Sequence, residues 1–308
     1  MGDIAIAIHG GAGADSEFVR RNVNAYKQGL NDAITAGYAF LQKGGSALEA
    51  VELVANLLED NPLFNAGRGA CLNNKGEVDM NASIMDGKDL RAGAVAMIRN
   101  VKNPITLAKG VMENTRHVFM AGKGAIDFAK RVGSAMRPDA YFITEHRVND
   151  YLELNQQETE EELLQKRTHG TIGCVALDVN GNLAAGTSTG GLTNALEGRI
   201  GDSCIIGAGT YANNQTCAVS GTGDGELLIR GVVAHSISSL IEFTGCTLQE
   251  ACDNTVFERC KDFKGDIGVI AVDPKGNIGL AFNTQRMHRA WVGLDGKVQI
   301  SVYGDDEA

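Results

Sequence analysis

The sequence predicts an α+β fold, and three observations predict it. Stretches with helical apolar spacing dominate the first part of the chain. Short, nearly continuous apolar runs sit beside turn signals in both parts. Two segments also echo one another: GTIGCVALDVNGNLAAGTST at 170–189 and GDIGVIAVDPKGNIGLAFNT at 265–284. Each reads as strand, turn, strand, and hairpins so alike are expected as neighbouring pairs in one sheet.

Taken in order, residues 4–8 are a short apolar run before HGGAG, a strand ending in a glycine loop. Residues 16–43 carry Phe18, Val19, Val23, Tyr26, Leu30, Ile34 and Tyr38 at helical spacing, stopped by Gly44 and Gly45. Ser46 with Glu49 reads as a capping box opening a second helix, which Asn61-Pro62 ends after Asp60. Residues 76–86 and 90–98 read as paired strands. Pro104 suits the first turn of a helix, and 124–132 and 145–154 read as helices. Between Asn155 and His169 runs NQQETEEELLQKRTH, with four glutamates and little to bury, as expected of a mobile linker. Residues 171–177 are nearly continuously apolar, as in a strand covered on both faces. Asn180-Gly181 signals a two-residue hairpin, with 183–188 returning. In the echo, Asp273-Pro274-Lys275-Gly276 supplies a type I turn. A further strand is expected at 216–220, and helices at 226–243 and 248–259.

Composition narrows the function. A chain of 308 residues, 44% hydrophobic and 21% charged, has ample material for a soluble core. The net charge of −10, with no Lys/Arg cluster, argues against nucleic acid and anionic membrane surfaces as partners. No apolar stretch approaches the roughly 18 residues of a membrane span. The N-terminus lacks the basic start of a signal peptide. Seven scattered cysteines without a C-x-x-C pair fit a reducing cytoplasm better than a disulfide framework or a zinc site. The six histidines lie far apart, so no metal site is expected.

The chemistry concentrates at Gly170-Thr171, where a buried strand begins just after the polar linker. A threonine hydroxyl needs a base, and its own α-amine can serve if the preceding peptide bond is cut. A free α-amine titrates at about 8, close enough to neutrality to accept a proton. Glycine leaves the scissile carbonyl unshielded, and the β-methyl of threonine restricts χ1 and aims the hydroxyl. Threonine also favours strands, and Gly-Thr pairs are common, so the pair alone leaves both readings open. Its surroundings favour chemistry. GTSTGG (186–191) is small and polar where the return strand ends. GTGDGE (221–226) is a glycine-rich strand-to-helix turn, suited to an oxyanion. Arg199 and Asp202, three apart in a glycine-flanked loop, match the α-carboxylate and α-ammonium of an amino acid; a surface salt bridge is the plain alternative. A dinucleotide site at Gly10-Gly11-Ala12-Gly13 fails because Ser16 stands where the fingerprint needs Gly or Ala. A nucleotide- or amino-acid-binding protein without catalysis would leave Gly170-Thr171 unexplained.

HGTIGCVALD, GTSTGG, GRIGDS, GAGTYANN and GTGDGE, in this order, resemble the plant-type asparaginase/isoaspartyl peptidase family of N-terminal-nucleophile hydrolases. IHGGAGA, PLFNAGRGA, NASIMDG and FNTQRMHRAW extend the resemblance over nearly the whole chain. The resemblance implies one four-layer αββα domain over 1–308, self-cleaved into 1–170 and 171–308, usually a homodimer of such αβ units. It implies a hydrolase of L-asparagine and β-aspartyl dipeptides that needs no catalytic cofactor. By the same resemblance, Thr171 is the nucleophile, Thr189 tunes it, and Thr222 with the Gly223 N–H forms the oxyanion hole. Arg199 clamps the substrate carboxylate, Asp202 with the Gly225 carbonyl takes the ammonium, and Asn65 lines the site. The loop from Leu58 to Arg68 resembles one that binds a structural sodium ion. Asp224 falls in a variable slot, Asn81 stands where the family often has Asp, and Arg68 adds a charge to the sodium loop. The sibling glycosylasparaginases share this constellation and remain the alternative.

Overall fold

A computed structural model describes residues 2–155 and 170–304. Apart from Asn155, the expected linker lies outside the described residues. Two sheets carry the fold. The larger has eight strands in the order β12-β11-β1-β5-β6-β2-β3-β4. Its members are β1 (Ala5–Gly13), β2 (Met80–Asp86), β3 (Ala92–Ile98), β4 (Phe119–Ala121), β5 (Ile172–Leu177), β6 (Leu183–Thr189), β11 (Arg286–Val292) and β12 (Val298–Tyr303). The smaller has the order β10-β9-β8-β7, from β7 (Thr210–Ala212), β8 (Ala218–Gly223), β9 (Ile267–Val272) and β10 (Ile278–Phe282).

Side-chain alternation stacks these sheets between helices. Ile6, Ile8, Ile172, Cys174 and Ala176 of the large sheet pack against α1 (Glu17–Gln42), α2 (Ala47–Asp60) and α3 (Pro104–Asn114). Their neighbours Ala5, Ala7, Val175 and Leu177 turn to the other face and meet Ala218, Ile270 and Val272 of the small sheet. Val219, Ile267, Val269 and Ala271 then face a second helical layer. Helix, sheet, sheet, helix is the expected αββα sandwich. Burying a residue such as Ile6 or Ile8 contributes about 1.5–3 kcal/mol each. Small Ala residues between the sheets let the two backbones approach closely.

The helices begin where their caps predict. The Ser16 hydroxyl accepts from Val19 N at 3.2 Å and the Ser46 hydroxyl from Glu49 N at 3.3 Å. α4 (Gly122–Arg131), α5 (Asp139–Phe142) and α6 (Glu145–Asn155) follow. Several expectations need correction. β1 does not end at the glycines: it runs on through Gly13 with a bulge between His9 and Ala12. The strand expected from residue 76 starts at Met80, because Asn73 and Glu77 close a turn first, Asn73 N donating to Glu77 O at 2.9 Å. The strand expected at 216–220 lies at Ala218–Gly223. The helix expected at 226–243 is two, α7 (Gly225–Gly231) and α8 (Val233–Thr244), split by Val232 at φ 47°. The first amides of α8 explain the break, since Ala234 N donates to Ala208 O and His235 N to Gly207 O, so tertiary partners override local propensity. By length and composition this Gly225–Thr244 stretch could cross a membrane, but Val233, Ala234 and Ile237 are buried against the small sheet. The last expected helix is α9 (Leu248–Asp253), followed by a wider π turn at Asn254–Arg259.

The echo hairpins do not share a sheet. β5–β6 lies in the large sheet and β9–β10 in the small one, so the repeats face one another across the sandwich. The turn at Asn180-Gly181 is also one residue longer than expected. Asp178 N donates to Asn182 O at 3.0 Å, and Leu177 pairs with Leu183. That register sets Ile172 opposite Ser188, and therefore brings Thr171 opposite Thr189.

Candidate active site

The start of β5, the end of β6, the end of β8 and the bulge of β1 meet at one edge of the sandwich. Thr171 sits there, 4% exposed. Its Oγ1 donates to Thr189 Oγ1 at 3.4 Å. The carbonyl of Gly170 accepts from two directions, from Thr189 Oγ1 at 3.0 Å and from Asn65 Nδ2 at 2.7 Å. Asn65 is itself fixed: Nδ2 also donates to Gly191 O at 2.7 Å, and Oδ1 accepts from Cys71 N at 2.8 Å. Thr189 Oγ1 accepts from Gly191 N at 3.2 Å. The bond before the threonine thus carries a polarised carbonyl with the hydroxyl beside it. Gly11 makes room for that bond. At φ 113°, a Cβ there would lie 2.9 Å from Gly170 Cα.

His9 carries no local signature of a site residue, yet its Nδ1 lies 2.9 Å from Thr171 O and its Nε2 2.9 Å from Ser220 Oγ. A carbonyl only accepts, so Nδ1 carries the proton and Ser220 donates to Nε2. Burial pushes His9 down to about 3, with the Thr171 carbonyl opposing, so the ring is neutral. It holds the backbone of Thr171 and does not touch the hydroxyl. Ser220 continues to Thr187 Oγ1 at 2.7 Å, bridging the two sheets beneath Thr171. The only signal for His9 in the sequence is its place before the glycines of β1.

A small cavity borders Thr171, lined also by Thr189, Arg199, Asp202, Gly223 and Gly225. Its volume is about 10 Å³, room for no more than a water, and Gly170 closes one side. Arg199 gives its Nε to Glu226 Oε1 at 2.9 Å and its Nη2 to Glu226 Oε2 at 2.7 Å. Glu226 belongs to the GTGDGE motif, which by itself assigns it no role. The end-on Nη1/Nη2 edge of Arg199 still offers a planar donor pair. Asp202 is buried, and its Oδ2 has no hydrogen-bond partner among the described residues. Burial pushes its carboxyl up to about 7, with Arg199 opposing. A Cβ on Gly225 would lie 2.9 Å from Arg199 Nη2 and 3.0 Å from Asp202 Oδ1, so only glycine fits between them. Thr222 is fully buried behind Gly223 rather than on the cavity wall, and its hydroxyl accepts from Ala12 N at 3.2 Å while keeping its own proton to donate. Asn81 Oδ1 accepts from Met97 N at 3.0 Å, a structural contact. Arg68 points outward over the Tyr141 ring at 5.8 Å.

A strand-start threonine opposite a second threonine, a gripped glycyl carbonyl and an adjoining Arg/Asp pair fit the pattern of N-terminal-nucleophile hydrolases. The asparaginase family model matches residues 2–302. The chain belongs to the asparaginase family. It is 43% identical to an isoaspartyl peptidase of Escherichia coli over 94% of this chain and 93% of that one. It is 41% identical to a probable isoaspartyl peptidase/L-asparaginase 2 of Arabidopsis thaliana, over 98% and 100% of the two chains. It is 40% identical to an isoaspartyl peptidase/L-asparaginase of Homo sapiens, over 99% and 98%. These asparaginase-family relatives cover 94%, 98% and 99% of this chain, on both sides of Gly170-Thr171.

Proposed function

We propose that this chain cuts itself between Gly170 and Thr171 and then hydrolyses L-asparagine and β-aspartyl dipeptides with Thr171 as nucleophile. The Gly170 carbonyl held by Asn65 and Thr189 carries this reading. In processing, Thr171 Oγ attacks the Gly170 carbonyl carbon while those two donors stabilise the developing oxyanion. The C–N bond then breaks, the proton passes to Thr171 N, and water hydrolyses the resulting ester. The products are a Gly170 carboxylate and a free Thr171 amine. No titratable side chain among the described residues is hydrogen-bonded to Thr171 Oγ, which suits the α-amine as the later base. Removing Gly170 opens the small cavity, whose far wall holds Arg199 and Asp202. There the substrate carboxylate meets the end-on Arg199 edge and its ammonium meets the Asp202 carboxylate on its Oδ1 side, beside Gly225. Thr171 Oγ attacks the side-chain carbonyl as the Thr171 α-amine takes its proton, and the Gly223 N–H, with the Thr222 hydroxyl behind it, receives the oxyanion. The C–N bond then breaks, the α-amine passes the proton to the departing ammonia or amino acid, and water hydrolyses the ester on Thr171 to release aspartate.

Intact-mass measurement after incubation, with product assays on L-asparagine and β-aspartyl-leucine, tests the proposal. Two chains meeting at Gly170/Thr171 and aspartate from both substrates are expected. A persistent single mass, or no product from either compound, would overturn it. In the matured fraction, Thr222→Val will fold and lose roughly 10²–10³ in turnover, the cost of one oxyanion donor. Unchanged turnover would remove Thr222 from the site.

The raised Asp202 gives a pH signature. Its folded value lies above the ordinary carboxylate value, so the empty site holds a proton below about 7. That proton must leave before the carboxylate pairs with an ammonium. L-Aspartate affinity for the processed protein will therefore fall by about tenfold per pH unit below that point. Calorimetric titration between neutral and acid pH checks this, and a flat affinity would place the ammonium elsewhere.

A structural sodium ion held by backbone carbonyls of the loop from Leu58 to Arg68, away from the chemistry, is what the family resemblance implies. All seven cysteines are free, which suits the proposed reducing cytoplasm. A homodimer of processed αβ units is the assembly the family resemblance implies.

A further inference from the structure

Next to the small cavity lies a larger one of about 500 Å³, and Gly170 borders both. On the Thr171 side its wall is Gly10, Asn65 and Gly170; elsewhere it includes Tyr26, Arg286 and His288. Arg286 and His288 lie on β11, in the FNTQRMHRAW stretch, which the reaction described above leaves unused. Arg286 pairs across the sheet with Gly13. Its Nε donates to Ala14 O at 2.9 Å, and its Nη1 lies 3.3 Å from His288 Nδ1.

The charges around this cavity are unevenly matched. Arg147 pairs with Asp150 at 3.2 Å, Arg21 pairs with Glu17, and Asp15 pairs with Arg20 at 2.7 Å. Glu153, also on the wall, has a partner of its own. Among the described residues, no carboxylate lies within ion-pair distance of Arg286. Burial pulls it below the ordinary arginine range, so its charge stands at a cost that an anion would offset. His288 is 2% exposed and stacks on Tyr26 at 4.2 Å between ring centroids. A guanidinium only donates, so His288 Nδ1 accepts and its proton sits on Nε2, which has no hydrogen-bond partner among the described residues. The ring stays neutral, because burial and then Arg286 push it well below its ordinary value, with the Gly10 backbone opposing only weakly.

Reaction geometry says which part of a ligand comes here. As the substrate C–N bond breaks, the acyl group stays on Thr171 Oγ and the leaving amine takes a proton from the Thr171 α-amine. The leaving group therefore lies on the side of Thr171 where Gly170 is bonded before cleavage. Once Gly170 withdraws, that side opens into the larger cavity. L-Asparagine releases ammonia and has nothing to place there. A β-aspartyl dipeptide releases an amino acid, whose α-carboxylate would reach this wall. We propose, resting on the hydrolase reading, that Arg286, oriented by His288, binds the α-carboxylate of the leaving residue and makes this enzyme selective for β-aspartyl dipeptides with a free C-terminus.

The test compares kcat/KM of the processed protein for β-aspartyl-alanine and for β-aspartyl-alanine amide, with L-asparagine as reference. Wild type will favour the free dipeptide over its amide by about tenfold, the scale of one charge-assisted hydrogen bond. Arg286→Gln will bring that ratio close to one, chiefly through KM, and Arg286→Lys will keep an intermediate ratio. A merely structural role would lower both substrates alike and leave the ratio intact, which would overturn the subsite. Wild type that cleaves both dipeptide forms equally would also overturn it, including the case where the new Gly170 carboxylate occupies Arg286. That comparison needs no variant, so it decides even if Arg286→Gln does not fold. Wild type that hydrolyses asparagine without distinguishing the dipeptides sinks the subsite alone. Wild type that hydrolyses none of the three compounds sinks the hydrolase reading with it.

Discussion

Thr171→Ala will remain a single chain after any length of incubation and will release no aspartate from asparagine or β-aspartyl-leucine. Both effects have one cause. The hydroxyl is the only nucleophile proposed for the Gly170 carbonyl, and without the cut Thr171 has no free amine. Losing a nucleophile costs turnover on the scale of roughly 10⁶, since the remaining machinery acts only with it. The substitution should leave the fold intact. Among the described residues Thr171 Oγ1 makes a single long hydrogen bond, 3.4 Å to Thr189, while its carbonyl keeps the hydrogen bond from His9. The donors on the Gly170 carbonyl also survive in the variant. A matching melting temperature will separate a chemical loss from unfolding. Two fragments from Thr171→Ala on a denaturing gel would mean that another group performs the cleavage.

Much of this site is legible in the amino-acid sequence, and the reason is local. Gly170-Thr171, GTSTGG and GTGDGE mark strand ends, and antiparallel hairpins bring strand ends together. Even so, the turn matters. With a two-residue loop at Asn180-Gly181, Thr171 would face Gly190; the observed longer loop moves the register by one and presents Thr189. Pairings between distant elements are not legible. His9 and Ser220 lie 211 residues apart and meet only because two sheets stack, and nothing local in HGGAG or AVSGTG announces it. The echo of the two hairpins is real, but turn chemistry and alternation encode a hairpin without saying which sheet takes it. The split at Val232 is hidden for the same reason, since the carbonyls that cap α8 come from residues 207 and 208. Arg199 is the middle case. It lines the cavity beside Thr171, where its motif led it to be expected, but its pairing with Glu226 is not legible, and that pairing leaves a different edge of the guanidinium for the proposed substrate carboxylate.

Substrate recognition gives the second large effect: N-acetyl-asparagine and asparagine amidated at its α-carboxyl will lose at least about 10²-fold in kcat/KM against asparagine. The basis is the state of the two charges before substrate arrives. Asp202 is buried, and among the described residues its Oδ2 has no hydrogen-bond partner, so an uncharged acetamide nitrogen would leave the carboxylate or its proton unsatisfied. Sites built to hydrogen-bond a missing polar group discriminate strongly for that reason, by up to roughly 10⁴–10⁵. Arg199, fixed on one edge by Glu226, presents its other edge without freedom to adjust, so the α-carboxylate must arrive in plane. Amidation replaces one acceptor oxygen with a donor facing that edge. The same logic separates the isomeric dipeptides. β-Aspartyl-leucine keeps a free α-carboxylate and will be cleaved, whereas α-aspartyl-leucine has its α-carboxyl tied up in the peptide bond and will not. Arg199→Lys will fail mainly through KM, because a point charge replaces a planar two-pronged donor and the bidentate hold on Glu226 is lost. Steady-state kinetics on these compounds decides the matter. Hydrolysis of the blocked asparagines at the rate of asparagine would reduce Arg199 and Asp202 to an ordinary structural pair.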